Sequence, residues 1–273
     1  MKNCFYSSVV VLGFVALGAL PAAAQTTSGT VEIFNEVAPG VVAPGGTAAD
    51  ALNGIGNIEL GETDGGLDGF QGSLTLGLGG GALTLSSLTQ ADWDGGLADR
   101  WFDDAWSVYG ADIAPLLTLG GLTRADLRTA FDVVGADARL SDPNIESVME
   151  LGTGDVDITL AGFVELNSLI DIAAASLGLG SFLSLLPPLP TFFASEVVAY
   201  EYQGTSGFLY SIGESPTPSG VVSADGTNSF TGNYTVTLGG TPPSTSVPEP
   251  STLLGLAGAA VAAAWGRRQR RSV

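Results

Sequence analysis

Short segments in which apolar and polar residues alternate recur along most of this chain, and they constrain the fold more than any other feature of the sequence. Alternation with a period of two places the apolar side chains on one face of a β-strand. Such segments lie at residues 29–34, 73–78, 82–85, 155–160, 196–202, 208–212 and 230–238. Short strands separated by glycine-rich turns are typical of antiparallel sheets that bury one face.

Two pairs of these segments are predicted to form β-hairpins. Glycines 79–81 separate residues 73–78 from 82–85, and residues 203–207 connect the other pair. Gly77, Gly79 and Ala82 match a relaxed dinucleotide-binding fingerprint by letter, but a strand pattern follows where that site requires a helix. We therefore interpret these glycines as a turn. Residues 38–54, rich in glycine, proline and alanine, are expected to form a loop.

Residues 89–148 have a helical pattern instead. Thr89 and Asp92 have the spacing of an N-terminal capping box, with aspartate in place of the usual glutamate. Apolar residues then recur at helical spacing along one face: Leu97, Trp101, Ala105 and Val108. A second helix is predicted to begin at Thr123 and to end at Gly135.

These patterns predict an α+β fold. We expect a single, mostly antiparallel β domain over residues 25–238, as a sheet or a sandwich, with a helical insertion. The apolar residues 168–186 are interpreted as a buried helix or a hydrophobic surface patch and not as a membrane span, because Asp171 and several glycines interrupt the run. Residues 239–246 form a linker, and we expect a signal helix before the domain and a transmembrane helix after it.

The charge and the missing residue types exclude several classes of function. The chain has 9 basic and 28 acidic residues, a formal net charge of −19, no histidine and one cysteine. Without histidine there is no Ser-His-Asp triad, no Cys-His pair and no imidazole metal ligand. The acidic excess argues against a nucleic-acid-binding protein, which needs lysine and arginine to neutralise phosphates.

The N-terminus has the organisation of a secretory signal peptide over residues 1–24. Lys2 precedes an apolar run at residues 9–20, and Ala22 and Ala24 fit the small-residue cleavage rule, so the mature chain begins near Gln25. The apolar run is too short to span a membrane. The cysteine lies within the removed segment, so the exported protein has no disulfide.

Residues 247–271 are the most specific feature of the sequence. They begin with a short rigid motif: Val247, Pro248, Glu249 and Pro250. An apolar segment follows and is predicted to be a membrane helix, with Thr252, Leu253, Leu254 and Trp265 within it. A basic cluster ends the segment and is expected to stay cytoplasmic: Arg267, Arg268, Arg270 and Arg271.

This order of motif, apolar helix and arginine cluster resembles the PEP-CTERM sorting signal of exported bacterial proteins. The resemblance implies export through the secretion machinery and recognition by an exosortase-type membrane protease, which removes the tail. It also implies transient anchoring in the inner membrane, followed by delivery to the cell surface or an exopolysaccharide layer. The body resembles uncharacterised proteins with the same tail in residues 139–145, 194–198 and 232–234. A plain C-terminal membrane anchor that is never processed is the alternative.

The exported segment is strongly acidic, and a segment of this charge can bind divalent cations. Residues 25–246 contain four arginines and 27 acidic residues, a net charge of −23. No cofactor is predicted, although residues 62–68 and 137–142 offer the oxygen ligands that calcium prefers. Neither run matches an EF-hand loop, and solvated acidic loops explain both.

Two further functions remain open. A carbohydrate-binding surface would use tryptophan, and Trp93 is expected to be more accessible than Trp101 and Trp106, which have core spacing. A hydrolase would need paired carboxylates. The candidate pairs are Asp92 with Asp94, Asp103 with Asp104, and Asp155 with Asp157. We expect a non-enzymatic cell-surface or extracellular-matrix protein, with a calcium- or carbohydrate-binding module and a carboxylate-pair hydrolase as alternatives.

Overall fold

The computed structural model describes residues 25–61, 67, 71–133, 140, 142–178, 190–213, 215–223 and 232–240. The predicted signal peptide and the segment from residue 241 onward, including the sorting tail, lie outside these ranges. In the described part of the chain, no helix combines the length and the apolar character needed to cross a membrane.

The described residues form mostly antiparallel β-structure with a helical insertion, as the sequence predicted. The strands are β1 (Gln25–Gly29), β2 (Val31–Ala38), β3 (Val41–Pro44), β4 (Gly56–Leu60), β5 (Gly72–Leu78), β6 (Gly81–Ser86), β7 (Asn144–Glu150), β8 (Val156–Leu160), β9 (Phe163–Glu165), β10 (Phe193–Ser195), β11 (Val198–Tyr202), β12 (Thr205–Leu209), β13 (Thr217–Pro218), β14 (Val222–Ser223) and β15 (Gly232–Leu238). The helices are α1 (Ala48–Asn53), α2 (Gln90–Asp92), α3 (Ala98–Leu119), α4 (Arg124–Val133) and α5 (Leu166–Ser176).

Two sheets pack face to face. One has the strand order β1-β5-β6-β11-β12, and the other has the order β13-β15-β8-β7-β4-β2-β3-β14. Alternate residues of each strand enter a shared core, because side chains of a strand point to opposite faces in turn. The core includes Leu74, Leu76, Leu83 and Leu85 from the first sheet and Ile58, Leu60, Ile158 and Leu160 from the second. The arrangement is a β-sandwich.

Both predicted hairpins are present. β5 pairs with β6 through a turn at Gly79 and Gly80, so the interpretation of these glycines as a turn is confirmed. β11 pairs with β12 through a tighter turn than expected, at Gln203 and Gly204. Gln203 has a φ of 51° and Gly204 a φ of 73°, the left-handed conformation that two-residue hairpin turns require.

The helical insertion builds a second core beside the sandwich. Trp101 of α3 stacks on Phe131 of α4 with ring centroids 5.2 Å apart, and Phe192 packs into the same cluster. The buried face of α3 includes Ala98, Trp101, Ala105 and Tyr109, which follow helical spacing. Val108 was expected on this face but is 45% exposed, because it lies at the edge of the buried stripe.

Two local expectations were wrong. Residues 38–54 are not a loop: they form β3, which pairs with β2, and α1, whose Thr47 hydroxyl accepts a hydrogen bond from the Asp50 N–H at 3.2 Å. Residues 144–148 belong to the predicted helical block but form most of β7, which lies between β4 and β8. In the first segment, local pairing and capping form where glycine and proline suggested a loop, and in the second, pairing with distant strands outweighs the local pattern.

One short segment connects the two edges of the larger sheet. β13 pairs with β15 at one edge, and β14, which begins four residues later, pairs with β3 at the other. In a flat sheet, β13 and β14 would lie seven strand spacings, or about 34 Å, apart, whereas four residues reach at most about 14 Å. The sheet must therefore curl strongly, and residues 217–223, which we call the strap, lie across its outer face.

Candidate functional site

A cleft of ≈ 400 Å³ opens beside the start of α3. Its lining combines one indole, one guanidinium, one carboxamide and three carboxylates. These side chains belong to Gln90, Trp93, Asp94, Asp99, Arg128 and Asp132. We call this site the helical cleft.

The local sequence explains why the helix is interrupted beside the cleft. The predicted capping box is present: the Thr89 hydroxyl accepts from the Asp92 N–H at 3.1 Å, and the Asp92 carboxylate accepts from the Thr89 N–H at 2.9 Å. A kinked turn at Trp93–Leu97 then joins α2 to α3, and Gly96 within it has a non-helical backbone with a φ of 106°. Only glycine adopts that backbone without strain.

The polar groups of the helical cleft already contact one another. The Gln90 amide donates to Asp94 at 2.9 Å. Arg128 donates to Asp99 at 3.1 Å and also forms an ion pair with Asp132. Three carboxylates against one guanidinium leave the cleft negatively charged, so an anionic ligand is disfavoured. Neutral hydroxyl-rich ligands can use both the carboxylate acceptors and the guanidinium and amide donors.

The three tryptophans of this region are placed differently from the expectation. Trp93 was predicted to be the accessible one but is 5% exposed, so only part of its ring edge reaches the cleft. Trp101 is fully buried, as its spacing predicted. Trp106 is half-buried, and the Arg124 guanidinium carbon lies 5.4 Å from its ring centroid.

The candidate carboxylate pairs have structural partners. Asp92 belongs to the capping box. Asp103 forms an exposed ion pair with Arg124, and Asp104 accepts from the Tyr210 hydroxyl at 2.6 Å. The third pair accepts from threonine hydroxyls, Asp155 from Thr153 at 2.8 Å and Asp157 from Thr237 at 2.7 Å. Asp94 is the member of these pairs that lines the helical cleft.

Three other carboxyl groups lie close together inside the fold, and we call them the acidic cluster: Glu59, Asp142 and Glu196. Glu59 is 6% exposed and Glu196 is 7% exposed. Glu196 accepts from the Asn144 N–H at 2.8 Å, and a methyl group on Gly162 would meet its carboxylate. Burial, with the neighbouring Asp142 and Glu59, raises the pKa of Glu196 well above its usual range. Burial and the nearby Glu59 raise the pKa of Asp142 to about 7.

Sequence reasoning missed the acidic cluster. Asp142 ended one of the proposed calcium runs, but Glu59 and Glu196 were not singled out. Glu59 precedes Leu60 in a strand whose apolar residues face the sandwich core, so it resembles an ordinary solvent-facing residue. Only the pairing of Glu59 with Asn144 and the approach of Glu196 from a distant segment bury it.

Most of the two predicted calcium runs lies outside the described residues. Within residues 62–68 only Leu67 is described, and within residues 137–142 only Leu140 and Asp142 are. Among the described residues, no group of three acidic side chains has the arrangement of a metal site. The three carboxyl groups of the acidic cluster do not have it either.

Comparison with known proteins concerns the tail. Residues 246–271 match the PEP-CTERM protein-sorting motif. The tail is a PEP-CTERM sorting signal. The match covers the whole of the segment predicted from the sequence, residues 247–271. No curated protein matches the chain. No solved structure matches it either.

The PEP-CTERM signal indicates where the protein is delivered. It implies export, processing by an exosortase and sorting to the cell surface. The motif residues, the predicted membrane helix and the arginine cluster lie outside the described residues, as do Ala22 and Ala24. Gln25 is described and begins β1, where it pairs with Leu76 of β5. Cleavage after Ala24 would therefore leave every described strand intact.

Proposed function

We propose that this protein is a non-enzymatic component of the bacterial surface or extracellular matrix, delivered there by removal of its PEP-CTERM tail. The observation that carries the proposal is the match of residues 246–271 to the sorting motif. The remainder of the chain is then the cargo, and its negative charge keeps it soluble outside the cell.

The candidate acid pairs support a non-catalytic interpretation. Carboxylate catalysis needs one protonated and one ionised group on either side of a substrate. Asp103 and Asp104 each have a structural partner, and so do Asp155 and Asp157. Glu196, whose pKa is strongly raised, lies inside the fold, where a polymer could not reach it.

The proposal is tested by the intact mass of the protein recovered from the surface or medium of its own host. We expect a chain that begins near Gln25 and ends within residues 247–251, with any added mass at the new C-terminus. Replacing Glu249 by alanine should leave the tail attached and the protein in the membrane fraction. The matched control is Ser244→Ala, which changes the linker outside the motif and should be processed normally.

A membrane-bound chain that retains Arg267 and all later residues in the unmodified host would contradict this proposal. The C-terminus would then act as a permanent anchor, and the body would remain at the inner membrane.

A second function, carbohydrate binding, is favoured by the helical cleft. Its volume of ≈ 400 Å³ accommodates one or two sugar rings, and ligand sites of this kind combine an apolar wall with a few converging polar groups. The small exposed part of Trp93 supplies an apolar contact, while Gln90, Asp94 and Arg128 supply acceptors and donors for hydroxyl groups. A surface protein delivered to an exopolysaccharide layer would meet such ligands.

Retention on immobilised exopolysaccharide from the host tests this second function. Asp94→Ala removes an exposed acceptor of the cleft and should lower retention at least tenfold, whereas Asp112→Ala, on the exposed face of α3, should not. Trp93 is unsuitable for the test because it is buried, and its truncation would destabilise the fold. Equal retention of both variants would exclude the cleft as the binding site.

A further inference from the structure

A small oxygen-lined cavity lies between the strap and the curled sheet, away from the helical cleft and the sorting tail. Its volume is ≈ 10 Å³, room for about one water molecule or one ion. Asn57 of β4, Glu146 of β7, Asn233 of β15 and Ser219 of the strap line it, with Val42 and Val221 as the apolar part. We call it the strap cavity.

A β-bulge aims Glu146 into this cavity. β7 and β8 pair in register at Ile145 and again from Ser147, and Glu146 is the extra residue between them. Ile145 and Val148 both enter the sandwich core, although three positions apart, because the bulge reverses the alternation. Bulges redirect single side chains and are frequent next to functional sites. The fold therefore departs from regular pairing at the residue that brings a negative charge beneath the strap.

The unpartnered polar atoms at the strap cavity are all acceptors. Asn57 is 2% exposed, and its Oδ1 atom has no hydrogen-bond partner. The Oδ1 atom of Asn233 is also buried without a partner, while its amide nitrogen donates to the Glu146 carboxylate. Buried polar atoms in folded proteins nearly always have a partner, and a single electropositive group in the cavity would supply one for both orphaned oxygens and the carboxylate.

No basic side chain supplies that group in the part of the chain that the structure describes. The arginines described there, Arg100, Arg124 and Arg128, lie on α3 and α4. They contact the rings of Phe208 and Phe102 and the carboxylates of the helical insertion. Glu146 therefore has a carboxamide, and no described cation, as its neighbour.

We propose that the strap cavity binds one calcium ion. Carboxylate and carboxamide oxygens are the side-chain ligands that calcium prefers in proteins. The ion would receive oxygens from three strands that are distant in sequence, beneath the strap that joins the two edges of the sheet. Calcium at this position stabilises the curled sheet, and the strongly acidic body raises the concentration of the ion near the site. This inference is independent of how the chain is sorted.

Thermal unfolding of the full chain tests the proposal, after extraction with EDTA and titration with calcium chloride to 5 mM. We expect the Tm to rise by several degrees, because an ion that binds only the folded state stabilises it by mass action. Glu146→Gln preserves the shape of the side chain and removes its charge, and it should abolish the rise. The matched control, Glu32→Gln, removes an exposed charge from β2 and should keep the full rise.

Isothermal titration calorimetry measures calcium binding to the unmodified chain directly, so this test does not require that a variant folds. One calcium ion per chain is expected, with an affinity at least tenfold weaker in Asn57→Ala. The absence of calcium binding would overturn the proposal and leave a water molecule as the partner of the orphaned oxygens. Binding that persists unchanged in Glu146→Gln and Asn57→Ala would also overturn it, because the ion would then lie in another acidic segment.

Discussion

Raising the pH from 5 to 8 is expected to destabilise this protein through the acidic cluster, and Asp142 is the residue that best isolates the effect. Its carboxyl group faces Glu59 and the buried Glu196, and the Asn144 N–H donates a hydrogen bond to Glu196. The ordinary pKa of an aspartate is 3.8, whereas burial and the neighbouring charge raise that of Asp142 to about 7. The folded protein therefore holds a proton there that the unfolded chain has already released.

The sign and size of the effect follow from this difference. A carboxyl group whose pKa is raised on folding contributes no penalty below pH 4, where it is protonated in both states. The free energy of unfolding then falls as the pH rises from about 4 to about 7. The pKa difference corresponds to about 4 kcal/mol, and because Asp142 is half-buried, solvent screening reduces the expected loss to about 2–4 kcal/mol.

Urea unfolding at a series of pH values from 4.5 to 8.5 measures this loss. Asp142→Asn keeps the shape and cannot ionise, so its stability should exceed that of the unmodified protein at pH 8 and match it near pH 4.5. Asp112→Asn, on the exposed face of α3, removes the same charge and controls for the general repulsion among acidic residues. If Asp142→Asn and Asp112→Asn lose stability with pH to the same extent, the assignment to the acidic cluster is refuted.

Three further predictions concern the stability of the fold, each measured by urea unfolding at pH 6. Leu160→Ala, in the fully buried centre of the sandwich, should cost about 2–5 kcal/mol, and a cost below 1 kcal/mol would contradict the described core. Thr89→Ala removes the capping box and should cost about 1 kcal/mol, with Thr89→Ser as the variant that should retain most of it. Gly29→Ala should destabilise by at least about 1–3 kcal/mol, because Gly29 has a φ of 76° and an added Cβ would lie 2.0 Å from the Gln71 carbonyl oxygen. A neutral Gly29→Ala variant would show that this turn relaxes freely.

Much of the local structure could be predicted because it depends on residues close together in the chain. The hairpin at Gly79 and Gly80 requires glycine at the turn and alternation on both sides, and both are visible in the sequence. The capping box at Thr89 is a three-residue pattern. The start of α4 is another, since the Thr123 N–H donates to Asp126 at 2.8 Å. The PEP-CTERM signal was recognisable for the same reason, since its order of elements is contiguous.

The sequence predictions were wrong where contacts between distant segments determine the structure. The pattern of residues 144–148 did not predict a strand, and β7 forms because β4 and β8 lie on either side of it. Trp93 was expected to be more accessible because Trp101 and Trp106 have core spacing, yet packing of the helical insertion buries it. The strap was not predicted at all, because its two strands have only two residues each.

The sequence by itself determined the destination of this protein, the class of its fold and the absence of histidine chemistry, because each is written in contiguous residues or in composition. Only the tertiary structure decided which polar residues are buried. Glu196 meets Asn144 from 52 positions away, and Asn233 meets Glu146 from 87 positions away. The physical reason is that burial of a charge depends on which strands pair around it, and the local pattern of a solvent-facing residue and of a buried one is the same.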